Sequence, residues 1–437
     1  MTAARLTDLR HRFWRLAGIN ILSNLTVPLA SLVDTAMLGH LEDIRFLAGV
    51  GLAAILFEYV YWSFGFLRMS TTGLTAQAHG AGDRRELESV LLRGLVTALA
   101  FAALVLLLQR LLEGAGFSLL SGAPEVEMEG RLYFRARILG APATLANFVF
   151  LGWYLGRERS DHVLVMTLVG NLANIALDYV FIMRMGLAAY GAGLATALSQ
   201  YAMLAVAVVL LLPEIPRFRV DLRGLLDLRK LRDLLALNRD ILIRTVALVS
   251  AFAIFLNFSA ILGTVILAAN TVLARIQALA AYMIDGAAFA TETLAGKLQG
   301  GADRPGLGRL RKMALKGGVA LSLPVIVPML LFPEPLLGVL TSHAPTLAVA
   351  ARYSPWLTPA LLFGALAYIY DGLFLGLTRG PALRNAMLFS TLVVFLPMSV
   401  WALYARSNHL LWLSMVGFMV ARTLAFFLAD RALEEPA

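Results

Sequence analysis

The stretch MSTTGLTAQAHGAGDRREL, residues 69–87, returns 220 residues later as FATETLAGKLQGGADRPGL, residues 289–307. Thr71, Leu74, Gly80, Asp83, Arg84 and Leu87 of the first copy match Thr291, Leu294, Gly300, Asp303, Arg304 and Leu307 of the second. Each copy follows a long apolar run and ends in a glycine-containing, basic turn. That pattern reads as a membrane-crossing helix meeting the aqueous phase. The chain is therefore built as two related halves, and the question becomes how many crossings each half makes.

The composition fits a membrane protein throughout. Of 437 residues, 59% are hydrophobic and only 15% charged, far from the quarter charged that soluble domains carry. Intrinsic disorder is excluded by the same figures. The absence of cysteine removes disulfides, zinc thiolates and thiol catalysis together. Apolar runs between charged or Gly/Pro-rich breaks predict helices at 13–38, 46–72, 88–112, 131–155, 162–184, 190–212, 239–262, 265–297, 312–332, 350–378, 384–404 and 409–430. The fold class is thus an all-α integral membrane protein of twelve helices in two pseudo-symmetric six-helix lobes. The predicted organisation is an N-lobe over 1–212, a cytoplasmic linker over 213–238 and a C-lobe over 239–437.

The net charge of +9 belongs mostly to the loops. Arg84, Arg85 and Arg93, then Arg157 and Arg159, then Arg217 to Arg239, then Lys297 to Lys316, fall on one side. The opposite loops are nearly bare of basic residues, and one carries Glu113, Glu125, Glu127 and Glu129. The positive-inside rule then puts both termini in the cytoplasm, with the start MTAARLTDLRHRFWRLAG a basic tail entering the first helix. Loop arginines of this kind are topology signal, so nucleic acid is not an expected partner. In the linker, LRGLLDLRKLRDLLAL has leucines spaced for an amphipathic helix on the inner surface, with a plain tether as the alternative.

Polar residues inside the membrane are costly and mark function. Asn20, Asn24, Ser31 and Asp34 share one face of the first helix, which suggests a water-lined cavity. Pro28 in the same helix removes a backbone hydrogen bond and is a hinge candidate. In GNLANIALDYVF, Asn171, Asn174 and Asp178 share a face of the fifth helix. An amide one turn from a carboxyl suits either a cation or a proton. Tyr133, Asn147, Thr196 and Gln200 are weaker signals that interhelical bonding explains equally well. In the second half, Arg244, Asp285, Glu292 and Asp371 read either as a buried ion network or as a second coupling or substrate site. Met37, Met69, Phe150 and Met283 are apolar candidates for contact with substrate, against plain packing or lipid contact.

Together, VDTAMLGHL at 33–41, Asn174 with Asp178, the IDG…E of 284–292 and YDGLFLGLTR at 370–379 resemble the MATE (multidrug and toxic compound extrusion) transporters, in their DinF-type prokaryotic branch. The resemblance spans essentially the whole chain, and its specificity lies in the joint order of short motifs. It implies a multidrug efflux antiporter of the inner membrane that works by alternating access. Such a transporter exports organic cations and other xenobiotics in exchange for protons or sodium. By resemblance, the cation or proton site is Asp34, Asn174, Asp178 and Thr196, flanked by Tyr133 and Asn147; sodium would take the first four. No cofactor is expected, the coupling ion being a proton or sodium. Expected partners are cationic or amphipathic drugs and the bilayer, with the chain acting as a monomer. Sodium-driven relatives carry a carboxylate early in the seventh helix where Arg244 stands here, which argues for protons.

Two other functions fit parts of the sequence. A lipid-linked-precursor flippase needs cavity arginines for pyrophosphate, and Arg68, Arg244 and Arg275 are available, but the cavity candidates are mainly acidic. An intramembrane aspartyl protease would use a YD and a GxGD; Tyr370-Asp371 and Gly80-Ala81-Gly82-Asp83 match the letters, but the second lies in a basic loop. No zinc-protease or nucleotide-binding motif is present, so the chain is not expected to be an enzyme.

Overall fold

A computed structural model describes residues 3–41, 43–120, 122–218 and 227–434. Among these, every regular element is helical. Twelve helical segments are long and apolar enough to cross a bilayer: Thr7–Gly39, Ile44–Ala81, Arg84–Leu107, Pro124–Gly156, Ser160–Arg184, Ala188–Pro216, Leu228–Leu262, Thr264–Gly300, Arg304–Leu331, Ala344–Gly376, Gly380–Tyr404 and Asn408–Ala432. They are numbered here in chain order. They start earlier than the hydropathy pattern suggests, and at several of them a polar cap carries the helix past its apolar core. Asp83 caps the third span through the Glu86 amide (3.0 Å), and Asp303 caps the ninth through the Gly306 amide (2.8 Å).

The third span ends at Leu107, not 112, and a separate helix follows over Gln109–Leu119. The seventh begins at Leu228, so the second part of the predicted linker helix continues straight into a span. The first part of that linker, 219–226, lies outside the described residues. Lys230 pairs with Glu86, which also holds the buried Arg93.

The chain divides into two compact units. One is Leu22–Leu234; the other joins the residues up to Ile21 with those from Leu235 onward. The first helix is therefore shared, its N-terminal part grouping with the C-terminal unit. It runs unbroken through Pro28.

The 220-residue repeat governs backbone and packing alike. Left-handed residues pair at that spacing: Gly82 with Ala302, Glu158 with Thr378, and Gly186 with Arg406. Each stands where one span ends and the chain turns back. In the N-terminal unit, Gly152 and Gly156 of the fourth span press on the second span. A Cβ at Gly156 would sit 2.7 Å from the Thr72 carbonyl oxygen and 2.9 Å from the Ala76 nitrogen. In the C-terminal unit, Gly372 and Gly376 of the tenth span press on Ala288, Glu292 and Gly296 of the eighth. These are two copies of one close helix crossing, made possible by small residues four apart. The fourth and tenth spans are accordingly the most buried.

Gly156→Ala is expected to destabilise the protein by about 1–3 kcal/mol, the usual cost of forcing atoms into a packed contact. Gly308→Ala, where a Cβ meets nothing within 4 Å, should be neutral or slightly stabilising. Thermal unfolding in detergent compares the two.

Aromatic packing fills each unit. Phe57 stacks on Phe134 at 5.0 Å in the N-terminal unit, and Phe255 meets Trp412 edge-on at 5.0 Å in the C-terminal unit. Leu29, Leu32, Leu107 and Leu392 are among many exposed apolar side chains, as expected where lipid is the solvent.

Candidate functional site

In the N-terminal unit Asp34 and Asp178 lie close enough to act on one another electrostatically. Asp178 is 1% exposed. Among the described residues, neither Asp178 oxygen nor Asp34 Oδ1 has an N–H or neutral O–H donor. Ionised carboxylates only accept, so two carboxyl groups can bond each other only when one carries a proton. Two neighbouring buried carboxyls are chemically able to share one proton. Local backbone helps create the arrangement: a π-helical segment, Tyr179–Arg184, begins immediately after Asp178. Such segments re-aim side chains and recur at functional sites.

The surrounding polar groups are tied to nearby elements. The Asn174 side chain is buried, and its amide nitrogen has no acceptor among the described residues. Asn171 donates to the Thr26 hydroxyl at 2.8 Å, fastening the fifth span to the first. Asn147 donates to the Gln200 backbone carbonyl at 2.9 Å and to its side-chain oxygen at 3.2 Å. The Thr196 hydroxyl donates to the Ala192 carbonyl of its own helix at 2.9 Å. Tyr133 accepts a bond from Arg137 at 2.8 Å.

The stripe on the first helix does not stay together. Asn20 is buried but groups with the C-terminal unit, while Asn24, Ser31 and Asp34 group with the other. Ser31 is exposed and Asp34 half-buried. Met37 and Met69 are half-buried, and Phe150 is buried and stacks toward Tyr154 at 6.3 Å.

Arg137 escaped the sequence reading. It ends the helical segment Pro124–Arg137, just before a short 3-10 turn over Ile138–Gly140. Its guanidinium sits 4.4 Å over the Phe57 ring, 5.6 Å from Tyr133 and 5.9 Å from Tyr61. It acts electrostatically on Asp34. The sequence reading of mainly acidic residues here did not include this cation. The missed signal was the third arginine of GRLYFRARI, the one that follows Arg131 and Arg135 into the apolar part of the span.

In the C-terminal unit Asp371 accepts from both Arg244 and Arg422. Arg422 is 0% exposed and lies 5.3 Å from the Tyr368 ring and 5.5 Å from Phe418. Asp285 acts on Arg244 through space, and Glu292 is fully buried. The sequence counted one arginine against three acids here; Arg422 makes it two. Arg244 is already bonded to Asp371, which leaves it poorly placed to recognise a pyrophosphate. Asp371 is held by arginines and Asp83 caps a helix, so neither is poised for the acid chemistry of a protease.

The same unit contains a polar network the sequence did not suggest. Asn270 and Asn408 exchange side-chain hydrogen bonds at 2.8 and 3.2 Å, and Trp412 Nε1 donates to Asn270 Oδ1 at 2.9 Å. Fully satisfied amides of this kind hold helices together.

Two repeated bundles of membrane-spanning helices, each with buried ionisable clusters, define a polytopic membrane transporter. The chain belongs to the MatE family, whose profile matches twice, at residues 20–180 and 241–401. It is accordingly a transporter and not an enzyme. It is 35% identical over 429 residues to the DNA damage-inducible protein F of Escherichia coli (strain K12), covering 97% of this chain and 92% of that one. The chloroplastic protein DETOXIFICATION 44 of Arabidopsis thaliana is 23% identical over 420 residues, covering 91% and 78%. The probable multidrug resistance protein NorM of Pseudomonas aeruginosa is 32% identical over 209 residues, 45% and 41% of the two chains. Among solved structures, an outward-facing multidrug resistance MATE family transporter superposes with a TM-score of 0.88 at 21% identity, covering 98% and 96%. That likeness concerns the fold.

Proposed function

We propose that the protein is a secondary active antiporter that exports organic cations and other xenobiotics in exchange for protons by alternating access. The carrying observation is the nearness of Asp34 and Asp178, two buried carboxyls that share a proton more readily than they ionise together. When both groups ionise they offer negative charge to a cationic cargo; when a proton returns, that charge falls and the cargo is released. Proton and cargo then compete for one site, which is what exchange requires. A proton suits the pair, because two neighbouring buried carboxyls ionise together only at a cost that one proton removes. Sodium binding by Asp34, Asn174, Asp178 and Thr196 would instead call on Thr196, whose hydroxyl hydrogen is committed to Ala192 but whose lone pairs remain.

Loop arginines and lysines support a cytoplasmic-membrane location with both termini inside. Reconstitution in liposomes tests the whole reading. A cationic dye should move under a pH gradient alone and not under a sodium gradient alone. Movement under sodium alone would replace the coupling ion, and no movement under either would end the antiporter proposal.

A further inference from the structure

We propose that Glu58, Tyr59 and Trp62 of the second span form a recognition face for flat aromatic cations. This rests on the antiport reading above and deepens it, naming residues that select the cargo. In the stretch FEYVYW, residues 57–62, the side chains divide between two faces. Phe57 and Tyr61 are buried and stack on each other at 5.4 Å, so they belong to the packing of the unit. Glu58 is exposed, as are Tyr59 at 52% and Trp62 at 58%. Trp62 lies one helical turn beyond both Glu58 and Tyr59, and the exposed stripe continues back through Ile55 and Gly51. Among the described residues no cation pairs with Glu58, and neither Tyr59 nor Trp62 packs on another ring.

The depth of this face decides what it meets. At about 1.5 Å per residue, Glu58 lies about 21 Å along the span from Ile44 and about 34 Å from Ala81. It stands in the middle of the apolar run 46–72. A carboxylate there is costly in lipid, and its side chain is too short to reach the headgroups from mid-span. An exposed carboxylate at that depth therefore faces water inside the membrane. Tyr59 and Trp62 are equally deep, so an aromatic belt at the membrane surface does not account for them.

The second half of the chain supports the same reading. Arg275, Ala278 and Leu279 of the eighth span stand 220 residues after Ile55, Glu58 and Tyr59, and they are exposed too. That copy carries its own exposed mid-span ion, Arg275, so a wet face at this position is a feature of the repeat. Ala278 shows that the fold itself does not require an acid where Glu58 stands.

A carboxylate beside two aromatic rings suits one kind of ligand. The rings offer π faces to a delocalised cation, indole most strongly, and the carboxylate offers the countercharge. An anion is repelled by Glu58, and a neutral molecule gains nothing from it. The face thus selects positive charge and flatness, while Asp34 and Asp178 handle the proton.

The natural chain has no cysteine, so Glu58→Cys presents a single thiol. In proteoliposomes opened to reagent on both sides, a membrane-impermeant trimethylammonium methanethiosulfonate should label that thiol. Ethidium, a flat monovalent cation, should protect it. Leu392→Cys, at an exposed apolar position, should stay unlabelled. Ethidium binding to the purified protein, followed by fluorescence, should weaken about tenfold in Glu58→Gln and in Trp62→Leu. Glu58→Asp should bind more tightly than Glu58→Gln, because the charge is kept. Thermal unfolding of these variants should stay close to wild type, since the side chains are exposed. A Glu58→Cys thiol that resists the reagent would put the face in lipid and overturn the proposal, as would unchanged ethidium affinity in Glu58→Gln. A protein that binds ethidium through Glu58 but is not driven by a pH gradient would overturn the antiport reading and leave the recognition face supported.

Discussion

Asp178→Asn is expected to insert and fold normally and to lose proton-driven efflux. The amide is isosteric with a protonated carboxyl and can donate to Asp34, so the contact across the first and fifth spans survives. What disappears is the titratable partner. Asp34 then has no second carboxyl with which to share a proton, and the proposed exchange site is lost. For one proton per cation, a pH gradient of one unit sustains about a tenfold cargo gradient. In the variant that gradient should collapse to none, while detergent thermal stability stays close to wild type. Asp34→Asn should behave likewise. A well-folded Asp178→Asn protein that still accumulates dye against its gradient in response to pH would place the coupling site elsewhere.

The parts of this molecule that the sequence made legible are those fixed by transfer energetics and by repetition. The twelve spans follow from apolar runs long enough for a bilayer, and the structure shifts their ends by only a few residues in most cases, as at Asp83 and Asp303, where a cap extends the helix. The repeat was visible in six matched residues. The structure shows that it also sets where the backbone turns left-handed and where Gly152, Gly156, Gly372 and Gly376 allow helices to touch. The YDGLFLGLTR segment, noticed as a motif, holds two of those glycines and the left-handed Thr378.

Less legible were contacts between distant residues. Asp34 and Asp178 each stood out on a helical face, but only the fold brings them near enough to act on one another. Arg422 went unnoticed because it is single, with no periodic stripe around it, and Arg137 because it stands beside Arg131 and Arg135. Their partners come from other helices: Tyr61 and Phe57 from the second span, Asp371 and Tyr368 from the tenth. The stripe of Asn20 and Asp34 looked continuous because a straight helix makes it so. The structure divides that helix between two units at Ile21, which helical periodicity does not encode.

Asp371→Asn should fail in the opposite manner to Asp178→Asn. Asp371 is the single carboxylate bonded to two buried guanidinium groups, Arg244 and Arg422. Removing it leaves both cations buried without that anion, and breaking one such buried pair costs about 3–5 kcal/mol. The midpoint of thermal unfolding in detergent should fall by about 10 °C, with a matching loss of expressed protein. Arg422→Met should cost less, because the Arg244–Asp371 pair survives and an apolar side chain can fill the space between Tyr368 and Phe418. Whatever Asp371→Asn protein does fold should still respond to a pH gradient, since the proposed coupling carboxyls are in the other unit. The two aspartate variants therefore separate stability from coupling. If Asp371→Asn were as stable as wild type but uncoupled, the C-terminal cluster would be the coupling site and Asp371 would not be a structural anchor.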